Sequence, residues 1–346
     1  MKRLVCLTVL AALLALPSVV RGDEEEGSFL AMMIKDLTGC ETWVDPETGI
    51  RWQYTLSEAG VSLGSKPTNP DQQSAKAVSR DTSGALVIPS RIDGRPVTAI
   101  GAGAFVECEG LTSVTIPDSV TAIGAMAFAG CTSLTAIEIP DSVTTIGAFA
   151  FAQCPALRRV RLPKGLSVIA QGMFAGCSSL AAVSIPEGGV AVEEMAFAGC
   201  SSLRSVTLPD SLVRIGSLAF LACPLKALTL PANLETVEGG AFAKARLAEV
   251  TLPKRLRFVA SRAFAECPNL EKVTVLGSPQ LSTGIDDGVF EDCEALEAIV
   301  FKDSGVLSSM GSLGCASLKR VTIPPEGLSV VSVTDLLRSG IRVVSE

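Results

Sequence analysis

No histidine occurs anywhere in the 346 residues. That removes the usual general base, the histidine-containing catalytic triads and the commonest zinc ligand. Aromatic residues are scarce too, at 5%, with one tyrosine (Tyr54) and two tryptophans (Trp43 and Trp52). In a chain that is 48% hydrophobic, the interior must therefore be filled mainly by Ala, Val, Leu and Ile. Positive charge is outnumbered, 29 Lys and Arg against 36 Asp and Glu, for a net charge of −7. Such a chain lacks the basic field that displaces counterions from phosphate, which argues against nucleic acid as a general partner. There is no Cys-x-x-Cys pair to hold a metal, and no apolar run beyond residue 22 is long enough to cross a bilayer. With no motif for Ser–Lys or paired-carboxylate chemistry either, the chain is expected to be no enzyme and to need no cofactor.

What the chain has in abundance is repetition. It reads LTSVTIPDSVTAIGAMAFAGC from Leu111, LTAIEIPDSVTTIGAFAFAQC from Leu134 and LRRVRLPKGLSVIAQGMFAGC from Leu157. Phe105, Phe128, Phe151, Phe174, Phe197 and Phe220 mark a period of 23 residues. Self-similarity at that period signifies a solenoid, in which each unit contacts only its neighbours and seals their apolar edges.

Within a unit, Val114 and Ile116 alternate with Ser113 and Thr115, the period of a half-buried strand. Pro117 stops that strand, having no N–H for the ladder, and Pro117-Asp118-Ser119 is turn chemistry. A second apolar step follows at Val120 and Ile123. The Ala-Phe-x-x-Cys corner then reads as a single helical turn laying Phe128 and Cys131 inward. Two units are one residue short, at Cys223-Pro224-Leu225 and Ala245-Arg246-Leu247, and an insertion near Gly277-Ser278-Pro279 stretches the Phe264 to Phe290 spacing to 26.

The chain divides into three parts. Residues 1–22 read as a signal peptide: Lys2 and Arg3, an apolar run from Leu4 to Leu16, then small residues before Asp23. Residues 23–84 hold an acidic start, a short helix over Phe29 to Leu37, a hairpin around Asp45-Pro46-Glu47-Thr48-Gly49 and a polar loop. The aromatic residues of the hairpin are expected to cap the first coil, which would otherwise expose its apolar face. Residues 85–346 form the repeat array, closed by a half-coil at Ile341 to Val344.

Nine cysteines share the repeat position: Cys108, Cys131, Cys154, Cys177, Cys200, Cys223, Cys267, Cys293 and Cys315. Stacked coils would hold them about 4.8 Å apart, whereas disulfide Cβ atoms want roughly 3.5 to 4.5 Å. Ala245 also stands at this position, as packing allows and obligatory pairing does not. They are expected to be small buried hydrophobes.

The phrase Leu-x-x-Val-x-Ile-Pro-x-x-Val-x-x-Ile-Gly-x-x-Ala-Phe-x-x-Cys resembles the BspA-like leucine-rich repeats of secreted and surface proteins. The resemblance runs from about Leu86 to Ile323, and the Gly49 to Tyr54 stretch is similar to the lead-in of such proteins. It implies a leucine-rich repeat solenoid, curved, with a parallel sheet on the concave face and short helical turns or loops on the other side. It further implies no catalysis and a role in adhesion or protein–protein recognition.

The outward positions of the long strand include a file at Thr115, Glu138, Arg161, Ser184, Thr207, Thr229, Thr251 and Thr274. Threonine there is what an exposed sheet prefers. Arg158, Arg159 and Arg161 on one strand, with Arg204 and Lys226 on later coils, form a candidate basic patch that Glu138 partly offsets. The expected partner is an extracellular or cell-surface protein or a glycan. The expected location is secreted, surface-associated or periplasmic. The alternative function is a structural surface or matrix component that self-associates.

Overall fold

Each repeat closes one coil, and the coils stack through three hydrogen-bonded faces. The computed structural model describes residues 40–64, 76–277, 286, 288–303, 315–324 and 341–345. The signal segment, the acidic start, the helix expected over Phe29 to Leu37, residues 66–75 of the polar loop and residues 278–285 lie outside these.

The first face is a parallel sheet of the longer strands. Leu111–Thr115, Ala136–Glu138 and Arg159–Arg161 stack with Val114 opposite Ile137 and Ile137 opposite Val160, the 23-residue period made physical. Ala182–Ser184 pairs with Ser205–Thr207 as a separate two-stranded piece. A third piece runs Glu249–Leu252, Lys272–Val275, Ala298–Phe301, Arg320–Ile323 and Arg342–Ser345. The ladder is interrupted at the first short coil, where residues 226–230 form no strand. The second face consists of two-residue parallel strands such as Ala122–Ile123 and Thr145–Ile146, continued by Val168–Ile169 through Phe258–Val259.

The third face is the Phe corner, and here the expected helical turn does not form. Among the described residues there is no helix; the corner is a run of turns. Its N–H groups point along the solenoid axis: Met126, Phe128 and Gly130 donate to the carbonyls of Ala148, Ala150 and Ala152 on the next coil. Left-handed residues two before and two after each Phe prevent a right-handed run: Met126 (φ 55) and Gly130 (φ 73) in one coil, Phe149 (φ 57) and Gln153 (φ 55) in the next. The strain of about 1–2 kcal/mol at each non-glycine is sustained because the coil above and below determines the backbone. At Gly172 (φ 57) a side chain is also sterically refused, since a Cβ would stand 2.1 Å from the Phe149 ring.

Inside, nine phenylalanine rings from Phe105 to Phe290 form one continuous stack. Centroids lie 4.9 Å apart at Phe105–Phe128 and 5.8 Å at Phe264–Phe290, with the planes nearly parallel. The two short coils keep the stack unbroken, at 5.3 Å for Phe220–Phe242 and 5.2 Å for Phe242–Phe264. At the amino-terminal end Trp52 turns its edge onto Phe105, 6.3 Å away and at 82°. Trp52 belongs to the hairpin of Glu41–Val44 and Arg51–Ser57, where it pairs with Trp43, and Gly60–Leu63 joins that hairpin to the first coil at Arg95–Ile100.

The cysteines line up beside the rings as free thiols from Cys108 to Cys293. Burial is only half of their role. Each thiol from Cys131 onward donates to the carbonyl of the Phe one coil back: Cys131 to Phe105, Cys154 to Phe128, Cys177 to Phe151 and Cys200 to Phe174, all at 3.2 Å. The Phe105, Phe128 and Phe174 carbonyls also accept the N–H of their own coil's cysteine. Burial, with its neighbours Cys154 and Cys108, pushes the Cys131 thiol well above its ordinary pKa. Cys154 and Cys200 are raised by hydrogen bonds with the Cys177 and Cys223 thiols and by burial. At the far end Cys267 is raised and Cys293 lowered by their mutual contact, so this pair titrates in two steps.

Candidate binding surface

The outer side of the long-strand sheet is where the chain presents chemistry. Alternation sends Val114, Ile137 and Val183 inward and leaves Thr115, Glu138, Arg161, Ser184 and Thr207 exposed at one register. Each coil adds two more outward positions just before that one. The result is a three-column array with rows at the strand spacing of about 4.8 Å.

The sequence-derived candidates all lie on this face, and all are exposed. They do not form one patch. Arg159 sits opposite Ala136 with Arg158 just before its strand, while Arg204 and Lys226 lie on neighbouring coils joined by a bond from Lys226 N–H to the Arg204 carbonyl. Ala181 and Ala182 separate the two groups. Arg161 faces Glu138 in the register, yet its guanidinium is committed elsewhere. Nη2 bonds both oxygens of Asp141 at 3.1 Å and Nη1 donates to the Ile139 carbonyl at 3.2 Å. The Lys164 backbone N–H, with the charges of Arg161 and Lys164, holds the Asp141 carboxyl below its usual range. Of these candidates, Arg158, Arg159, Arg204 and Lys226 make no ion pair among the described residues, so their charge is uncompensated.

On the short-strand face, Arg214 bridges Glu193 on the coil before and Glu238 on the coil after, and Glu238 also accepts from Ser217. Charges that satisfy one another across three coils act as a staple rather than a recognition surface.

Sequence reading missed a second charged region on the long face. A groove of about 750 Å³ crosses its carboxy-terminal strands between Glu271, Lys272, Glu297, Lys319, Arg320 and Arg342. Writing out the outward position that follows Arg159 would have found Lys272, Ala298, Arg320 and Arg342. The irregular spacing after Gly277 hides that column in the linear sequence.

Among the described residues no group of His, Cys, Asp and Glu is arranged to hold a metal ion, and no helix is long and apolar enough to cross a membrane.

A family model for the BspA type leucine rich repeat region matches in six copies, over residues 98–226, 182–297 and 213–333, more than half of the chain. No curated protein matches. Among solved structures, the chain is similar to a leucine rich cell surface protein from Faecalibacterium prausnitzii, at 24% identity over 88% of this chain and 94% of that one, with a TM-score of 0.46. A leucine-rich repeat protein from Bacteroides ovatus matches at 20% identity over 80% of this chain and 81% of that one, with a TM-score of 0.45. The leucine rich repeat protein of T. pallidum matches at 31% identity over 50% of this chain and 86% of that one, with a TM-score of 0.40.

Proposed function

Because the chain belongs to the family of BspA-type leucine-rich repeats, we propose that it is an exported, surface-associated adhesion protein that grips another protein with the outer face of its long-strand sheet. One observation carries this reading. The outward side chains are locked in register over successive coils, while the apolar residues of the same strands are consumed by the core. Such a face is preorganised, so a partner meets little ordering cost on binding. The description of the F. prausnitzii protein as a cell surface protein agrees with the location. The start of the sequence, with Lys2 and Arg3 before the apolar run to Leu16, supports export.

The test is to obstruct the face. Thr207, Thr229 and Thr251 are exposed in one column. Replacing all three by Arg should abolish binding of the labelled protein to its target surface, whereas Thr144→Arg with Ser167→Arg on the short-strand face should leave it intact. Unchanged binding of the triple variant would refute the assignment of the face.

Self-association is the second reading, favoured by one feature. Gly84–Val87 ends its sheet as an edge strand, and Val87 on it is 64% exposed. Light scattering that grows with concentration, and is suppressed by Val87→Lys, would establish it over the first.

A further inference from the structure

The carboxy-terminal groove has a charge pattern that specifies its occupant more narrowly than the rest of the face. In its second outward column, Lys272 lies opposite Ala298, Ala298 opposite Arg320 and Arg320 opposite Arg342. Three cations therefore stand within four successive strands, with the small, buried Ala298 between Lys272 and Arg320 and Glu249 opposite Lys272 on its other side. At about 4.8 Å per strand, the two arginine backbones are neighbours and Lys272 is roughly 10 Å from Arg320.

The first outward column is partly neutralised. Lys319 Nζ bonds Glu297 Oε1 at 2.5 Å, leaving Glu271 as its one other acid. Lys272, Arg320 and Arg342 make no ion pair among the described residues, although the protein as a whole carries a net charge of −7. Two adjacent guanidinium groups with no anion between them repel, and a carboxylate inserted there removes the repulsion while accepting bidentate hydrogen bonds.

Building on the binding-protein reading above, we propose that this groove takes an extended acidic peptide segment of the partner protein. One carboxylate sits between Arg320 and Arg342 and a second reaches Lys272, on the far side of Ala298. Acidic residues two apart on one side of an extended segment are about 6.7 Å apart, a span the long Arg and Lys side chains accommodate. Glu271, which makes no ion pair among the described residues, favours a peptide over a sulfated polysaccharide. A uniformly anionic polymer is repelled by it, whereas a peptide offers it a backbone N–H group between carboxylates.

The test uses the full-length chain and a fluorescein-labelled synthetic peptide of alternating aspartate and serine, followed by fluorescence anisotropy. Saturable binding is expected, with little for the asparagine–serine version. Affinity should fall about tenfold or more, that is about 1.4 kcal/mol or more, in Arg320→Glu/Arg342→Glu, and stay unchanged in Thr144→Glu/Ser167→Glu on the short-strand face. Lys272→Glu, on a separate strand, should weaken binding in the same direction and serves if the double variant melts early. The proposal is overturned if the aspartate peptide fails to bind, if the groove variants bind it as well as the natural chain does, or if heparin displaces it more tightly than the unlabelled peptide. Such a result leaves the broader reading standing where Thr207, Thr229 and Thr251 still control target binding. The reverse pattern would sink the broader reading alone.

Discussion

Raising the pH should unfold this protein from the inside, through the thiol ladder. Cys131, Cys154 and Cys200 are buried, donate to Phe carbonyls and hold their protons far above the ordinary thiol range. In the unfolded chain the same thiols titrate near pH 8.5. The folded pKa is raised, so the stabilisation is fully present below pH 8.5 and is lost as the pH climbs, because only the unfolded state releases protons. Each thiol then costs about 0.8 kcal/mol at pH 9 and about 2 kcal/mol at pH 10. Three together cost about 2.5 and about 6 kcal/mol, set against the roughly 5–15 kcal/mol of a typical domain. The assay is urea denaturation under reductant at pH 7, 9 and 10, comparing midpoints for the natural chain with those of Cys131→Ala/Cys154→Ala/Cys200→Ala. The natural chain should lose far more of its midpoint by pH 10 than the triple variant. Equal losses would refute the reasoning, because lysine and tyrosine titration affects both alike.

Two further perturbations probe the same interior. Phe174→Ala removes a fully buried ring stacked at 5.6 Å on Phe151 and 5.5 Å on Phe197, and should cost about 3–5 kcal/mol by chemical denaturation. Ala245→Cys restores the one missing rung between Cys223 and Cys267, where its thiol would reach the Phe220 carbonyl. A gain of up to about 1 kcal/mol is expected in the urea midpoint, and destabilisation would show that the short coil has no room for sulfur.

The corner shows where local sequence misleads. Ala127-Phe128-Ala129 is good helix material, and the single-coil reading duly makes it a helical turn. The left-handed residues at Met126 and Gly130 arise because their N–H groups bond to a coil 22 residues ahead, an interaction absent from any short window. The candidate basic site shows the same limit. That Arg158, Arg159, Arg161, Arg204 and Lys226 face outward was legible from alternation alone. That Asp141 captures Arg161, and that alanines separate the remaining four, required neighbouring coils to be set side by side.

By itself the sequence determined the period, the inward placement of Phe, Cys, Leu and Val, and the outward columns, because a coil that cannot bury its own apolar edge must repeat. The tertiary structure decided which charges neutralise one another, where the long sheet breaks and where a cationic groove remains open at Lys272, Arg320 and Arg342. The physical reason is distance. Burial follows from the pattern within a coil, whereas the ion pairs and ladder hydrogen bonds between coils join residues some 20 to 29 positions apart, which meet only when the coils are stacked.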